Sequence, residues 1–160
     1  MKHIFKANLH WMKSDGDQAG THSSKNHSVL INNKAELRVS AAKVFKGDAN
    51  LYNPEDLLLT SLTSCHMMSY LYCCSTNGIE VLEYEDNAEA ILEVYPDNSG
   101  KIIAVVLRPR VLIADLSQVE LALSLHQRAH ELCFIANSCN FEIEVKAEYI
   151  GRFDSAQPKH

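Results

Sequence analysis

The chain has 160 residues, 46% of them hydrophobic, and a formal net charge of −5. That is enough for one domain with a sizeable core, and no Pro/Gly/Ser-rich linker divides it, so residues 1–160 read as a single domain. The lysines and arginines are scattered among acids rather than gathered in a stripe, which excludes the footprint of a nucleic-acid-binding surface.

Residues 1–12 carry a charged or polar side chain at every second or third position, too often for a secretory signal or a membrane span. A cytoplasmic location is therefore expected, with no membrane partner. The five cysteines (Cys65, Cys73, Cys74, Cys133 and Cys139) should be free thiols at rest there, and their odd number argues against a fully paired framework.

Residues 2–12 alternate loosely and are rich in Ile, Phe, Leu and Trp, predicting a strand, and the polar residues 15–24 predict a loop. Residues 27–31 and 35–40 read as two strands around Asn32-Asn33-Lys34, a hairpin turn because Asn tolerates positive φ. A long helix is predicted from Asn53 to about Asn77. Asn53 is its N-cap, Pro54 takes the first position, Glu55 and Asp56 face the positive helix end, and Gly78 stops it.

Residues 81–95 and 101–114 read as two long strands joined by Pro96-Asp97-Asn98-Ser99-Gly100, with Pro109 marking a bulge or an edge position. Ser117-Gln118-Val119-Glu120 reads as a capping box that opens a second helix running to about Asn137. Residues 141–150 alternate as a last strand. The order β-β-β-α-β-β-α-β, with antiparallel hairpins and two dominant helices, predicts an α+β domain.

The first helix is apolar almost all round, which suits a helix buried centrally or in an oligomer interface. Cys65 lies among its leucines, where packing is the plain reading, because a thiol in apolar surroundings is inert. Glu55 stands about 15 Å from Cys65 along the helix axis, so the two cannot touch within one helix. Glu55 either caps the helix or serves a thiol of another chain.

On the second helix His126, His130 and Cys133 share a face at i, i+4 and i+7, a possible but weak metal-ligand set, and no metal is expected. Cys133 also lies among apolar residues. Helices of one small core pack about 8–10 Å apart, which brings thiols on facing sides within reach of a disulfide after modest movement.

Asn53-Pro54-Glu55-Asp56-Leu57-Leu58 with Ser64-Cys65, and Ala129-His130-Glu131-Leu132-Cys133 with Ile135-Ala136-Asn137, together resemble the OsmC/Ohr family of thiol peroxidases, over most of the chain. The resemblance implies an intertwined homodimer with active sites at the interface, which removes the difficulty over Glu55. It implies Cys65 as the peroxidatic thiolate, Cys133 as the resolving thiol with Cys139 as a rival, and Glu55 as the carboxylate that orients a catalytic arginine. The implied reaction reduces organic hydroperoxides to alcohols through a Cys65 sulfenic acid and a Cys65–Cys133 disulfide, without a cofactor. A thiol or lipoyl reductant would reopen it.

The family places its arginine upstream of the Asn-Pro-Glu motif. This chain has only Arg38 there, on a predicted strand, with Lys43 and Lys46 as alternative cations that lack the guanidinium fork. Phe134 follows the second cysteine where many relatives have proline, and His66 directly follows Cys65. A non-catalytic binding or stress-associated protein on the same fold is the alternative expectation.

Overall fold

The computed structural model describes residues 1–13, 24–147 and 149–150. All but the end of the predicted loop at residues 15–24 lies outside them. The chain divides into two compact units, residues 1–58 and 59–160.

In the first unit β1 (Asn8–His10), β2 (His27–Leu30) and β3 (Leu37–Val39) form an antiparallel sheet in that order, with Leu9 opposite Val29 and Ser28 opposite Arg38. The predicted hairpin is present, and Asn33 takes the left-handed conformation (φ 62°) that its turn requires. The predicted strand at residues 2–12 is only the three residues of β1. Its alternation is real, but the large apolar side chains of Ile4 and Phe5 are exposed and their backbone pairs with no strand among the described residues.

After β3 the Ser40 hydroxyl donates to Asn26 and accepts the Asp48 amide, at 2.8 and 3.0 Å. Gly47 packs so closely on Ala41 that a Cβ there would lie 1.7 Å from the Ala41 carbonyl oxygen. The loop that carries Lys43 and Lys46 is thus held by side-chain bonds at its ends and by a glycine that nothing larger can replace.

α1 (Pro54–Thr76) opens as predicted, and the capping is reciprocal. The Asn53 side-chain oxygen accepts the Asp56 amide at 2.9 Å, and the Asp56 carboxylate accepts the Asn53 amide at 3.2 Å. Gly78 (φ 70°) ends the helix, and the Ile79 amide returns to the Cys74 carbonyl at 2.9 Å.

In the second unit the two long predicted strands are each divided in two. The pieces are β4 (Val81–Asp86), β5 (Glu89–Val94), β6 (Gly100–Leu107) and β7 (Pro109–Ile113). β4 and β7 pair antiparallel in one sheet, and β5 and β6 do so in another. The junction has a local cause. Pro109 has no amide to continue the ladder, and the amide before it, on Arg108, donates to the Asp86 carboxylate at 2.7 Å, so both strands break together. Pro109 is neither a bulge nor an edge residue; it is the buried first residue of β7, the middle strand of its sheet. The predicted last strand is divided likewise into β8 (Glu142–Val145), parallel to β6, and β9 (Tyr149–Ile150), parallel to β7.

The second helix differs at both ends from the sequence reading. Asp115, not Ser117, is the cap: its carboxylate accepts the Ser117 amide at 2.9 Å and opens a 3₁₀ turn, Leu116–Gln118, that leads into α2 (Val119–Leu132). The helix stops five residues before Asn137. Cys133 is extended (ψ 107°), and the Asn137 side-chain amide reaches back to the Glu131 carbonyl at 3.0 Å, satisfying one of the helix's open carbonyls from outside.

The α+β class is as predicted: two long helices with mainly antiparallel sheets. Two buried clusters form the core of the second unit, one around Tyr70, Ile113 and Ala122, the other around Leu62, Leu107 and Cys133. No helix among the described residues is long and apolar enough to cross a membrane.

Candidate functional site

The buried stripe of α1 is Leu62, His66, Tyr70 and Cys73, with Cys74 beside it. These residues recur at helical spacing and set the orientation of every other side chain on the helix. Cys65 therefore sits at the margin of the stripe, partly exposed, while Met68 and Tyr72 are 57% and 63% exposed. Helical spacing groups Leu58, Leu62, Met68, Ser69 and Tyr72 with Cys65, but Leu62 turns into the buried stripe and only Cys65, Met68, Ser69 and Tyr72 share a face. Among the described residues this face looks outward.

Cys65, Met68, Ser69 and Tyr72 of α1 and Leu132 and Phe134 at the end of α2 line a cleft of about 390 Å³. Its lining includes no lysine, arginine or carboxylate, so it suits an apolar group beside a single thiol.

Cys133 packs against the same apolar cluster as Cys65 and is fully buried. The break of α2 at Leu132 gives its sulfur a particular setting, in which it accepts the Ala136 amide at 3.4 Å. Burial pushes the Cys133 thiol up to about 11, against the pull of the Ala136 and Ile135 amides, and a hydrogen bond with Cys65 acts in the same upward direction. The two thiols are direct neighbours, and Cys133 holds its proton at neutral pH. Cys139 is partly exposed and donates to the Ile135 carbonyl at 3.2 Å. All five cysteines are free thiols.

Glu55 lies in the first turn of α1, and its Oε2 is buried with no hydrogen-bond partner. Arg38 is exposed on β3, and Lys43 and Lys46 are exposed in the loop after it. No described hydrogen bond or ion pair joins any of these three cations to Glu55.

His126, His130 and Cys133 do not assemble as the possible ligand set. Cys133 belongs to the thiol cluster, and among the described residues no three His, Cys, Asp or Glu side chains are placed to hold a metal ion. His126 instead meets His66. His66 Nε2 and His126 Nδ1 are 3.2 Å apart and share one hydrogen bond, and the ring planes are within 9° of parallel. The Tyr70 ring stacks on His126 at 3.9 Å, and its hydroxyl donates to the Ala122 carbonyl at 3.0 Å.

Burial lowers His66 to about 4, helped by the neighbouring His130, and lowers His126 to about 3, helped by His66. Both rings are neutral at pH 7. Residue type and spacing in the sequence alone do not pair these two histidines. The signal for their burial was available, because His66 falls in register with Leu62 and Tyr70, and His126 with Ala122 and Ala129.

The sequence model of the OsmC-like protein family matches residues 47–148, which include α1, α2 and both clusters. An OsmC-like protein of unknown function from Vibrio cholerae is 26% identical, with a TM-score of 0.84, over 91% of this chain and 99% of that one. A structure from Legionella pneumophila, described as an organic hydroperoxide resistance protein OsmC, is 21% identical with a TM-score of 0.68 over 94% and 98%. An organic hydroperoxide resistance protein from Elizabethkingia anophelis is also 21% identical, with a TM-score of 0.66, over 96% and 100%. No curated protein matches the sequence. With more than half its length matched by the family and the fold shared across nearly the whole of each relative, the chain belongs to the OsmC-like family.

Proposed function

We propose that the protein is a cysteine-based peroxidase that reduces organic hydroperoxides to alcohols. The observation that carries this reading is that Cys65 and Cys133 are neighbours in one apolar cluster, with Cys65 alone opening on an apolar cleft. The Cys65 thiolate attacks the outer peroxide oxygen, the O–O bond breaks, and the alkoxide leaves and takes a proton as the alcohol. Cys65 is then a sulfenic acid. The Cys133 sulfur attacks it, its proton leaves with the hydroxide as water, and a Cys65–Cys133 disulfide remains. Two external thiols, or the two of one dihydrolipoyl group, then supply two electrons and two protons by thiol–disulfide exchange, restoring Cys65 and Cys133 and leaving as a disulfide.

The apolar lining favours peroxides with a hydrocarbon or aromatic tail over hydrogen peroxide. Glu55 with a cation, Arg38, Lys43 or Lys46, would polarise the peroxide across a homodimer interface. Supporting the dimer are the unpaired buried Glu55 oxygen and the exposed apolar side chains Met68, Tyr72 and Phe134 around the thiol cleft.

One observation favours a second reading, a non-catalytic ligand-binding protein: no cation lines the Cys65 cleft. One experiment separates them. Stoichiometric cumene hydroperoxide is added to reduced protein and the peptides are mapped by non-reducing mass spectrometry. A rapid Cys65–Cys133 disulfide, absent in Cys65→Ser, supports the peroxidase. Survival of all five thiols rejects it and leaves the binding protein.

A further inference from the structure

The thiol chemistry leaves the histidines unused, and three of their ring nitrogens are buried without a hydrogen-bond partner: His66 Nδ1, His126 Nε2 and His130 Nδ1. An unpaired buried polar group costs about 1–3 kcal/mol, so three in one place call for a ligand or ordered water. Two of the three rings open on the same space. His126, only 4% exposed, and His130 line a cleft of about 460 Å³ beside α2, with Ser124, Gln127 and Glu131 on the same helix and Ile143 of β8 opposite.

The lining decides what this cleft would take. It contains no lysine or arginine, and its one ionisable acid, Glu131, is paired with Arg128 at 2.7 Å, so an anion finds no counter-charge there and a cation finds mainly the neutral imidazole nitrogens. Two imidazoles one helical turn apart select against calcium and magnesium, which take oxygen ligands, and for zinc, nickel, cobalt or copper. The His66–His126 bond supplies a third feature of such sites. When His126 Nδ1–H donates to His66 Nε2, the tautomer is fixed and the buried Nε2 of His126 is left as an unpaired acceptor. Stacking on Tyr70 then holds the ring plane.

We infer that the cleft beside α2 is a binding site for a divalent transition-metal cation, held by His126 and His130 with His66 as the positioning residue behind His126. No third protein ligand converges there among the described residues, so the ion keeps solvent positions and exchanges readily. The site is separate from the thiol pair and does not depend on the peroxidase reading.

The test is a titration of chelator-treated, fully reduced protein with Co²⁺, followed by absorption spectroscopy and calorimetry. The expected result is one equivalent bound in the micromolar range, with a visible d–d spectrum and no thiolate-to-cobalt charge-transfer band. His130 is only half buried, so His130→Ala should stay folded, as its circular dichroism would confirm, and lose affinity by about tenfold or more. His66→Asn should weaken binding by a similar factor. Cys65→Ser should leave it unchanged. No uptake, a charge-transfer band, or full affinity in folded His130→Ala would each overturn the inference.

Discussion

Two of the contacts that α1 makes with α2 and with the residue that ends it, Cys133, come from residues adjacent in the sequence of α1 and have opposite characters. At one, Cys65 reaches Cys133 beside an open apolar cleft. At the other, His66 reaches His126 in an interior where both rings are buried and a tyrosine lies on top. One residue on a helix is a rotation of about 100°, enough to send neighbouring side chains into different clusters. Burial also acts on the two pairs in opposite ways. It holds the proton on the Cys133 thiol, and it keeps protons off both imidazoles, because in each case the neutral form is the one that burial favours. The thiol pair thus leaves its partly exposed member open to the cleft, and the histidine pair stays neutral.

The largest expected effect falls on the thiol pair. Cys65→Ser should lower consumption of cumene hydroperoxide by roughly a thousandfold or more, to the blank, because no other group replaces the attacking sulfur. Cys133→Ser should still react once and then accumulate sulfenic acid, which excess peroxide carries on to sulfinic acid. Intact-mass spectrometry distinguishes the two by the added oxygens. With its thiol near 11, Cys133 is about 10⁻⁴ thiolate at pH 7, so iodoacetamide should label it far more slowly than Cys65 in native protein. Equal labelling would mean that the two thiols do not differ in the way their burial implies.

The next effect is on stability and separates the histidine pair from the thiols. Both histidines ionise in the folded state well below 6.5, so below that pH the unfolded chain binds more protons and stability falls as the pH drops. The contribution is complete above pH 6.5 and is lost as the pH falls through about 4 and then 3. Each histidine lowers stability by about 1.4 kcal/mol per pH unit in this range, so the pair together gives a slope of about 2–3 kcal/mol per unit. Urea denaturation between pH 7 and 4.5, with a chelator present, measures it. The double substitution His66→Leu with His126→Leu should flatten the slope, whereas Cys133→Ser should leave it as it is. A wild-type protein with no acid slope would show that these rings are not held neutral.

How much of this could be read in the sequence depended on whether the cause was local. The start of α1 was legible because Asn53 and Pro54 act on their own turn, and its end because Gly78 supplies the left-handed residue. The two hairpin turns were legible for the same reason at Asn33 and Asn98. The division of the long strands was not, because it rests on a bond between Asp86 and Arg108, 22 positions apart. The end of α2 was hidden, since Leu132-Cys133-Phe134-Ile135 continues the apolar pattern and the capping amide comes from Asn137. The two thiols were found by motif, but that Phe134 is 81% exposed and Cys133 fully buried is set by the turn between them. The cation for Glu55 stayed open because all three candidates are exposed side chains in the first unit, and their spacing along the chain ranks none of them.

The smallest effect tests whether the two meeting places are independent. Tyr70 is fully buried, stacks on His126, and donates its hydroxyl to the Ala122 carbonyl. Tyr70→Phe keeps the ring and its stacking and removes that bond, from a carbonyl that already lies within α2, together with the hydroxyl's contact to the Cys74 thiol. The loss should be about 1 kcal/mol, visible as a lower urea midpoint with an unchanged m-value. Because the ring still covers His126, the acid slope should not change, and because Cys65 lies on a different side of α1, the rate of the Cys65–Cys133 disulfide should not change either. If Tyr70→Phe slowed disulfide formation, the hydroxyl would have to act through the spacing of the two helices, and the thiol and histidine pairs would then be two readouts of one helix contact.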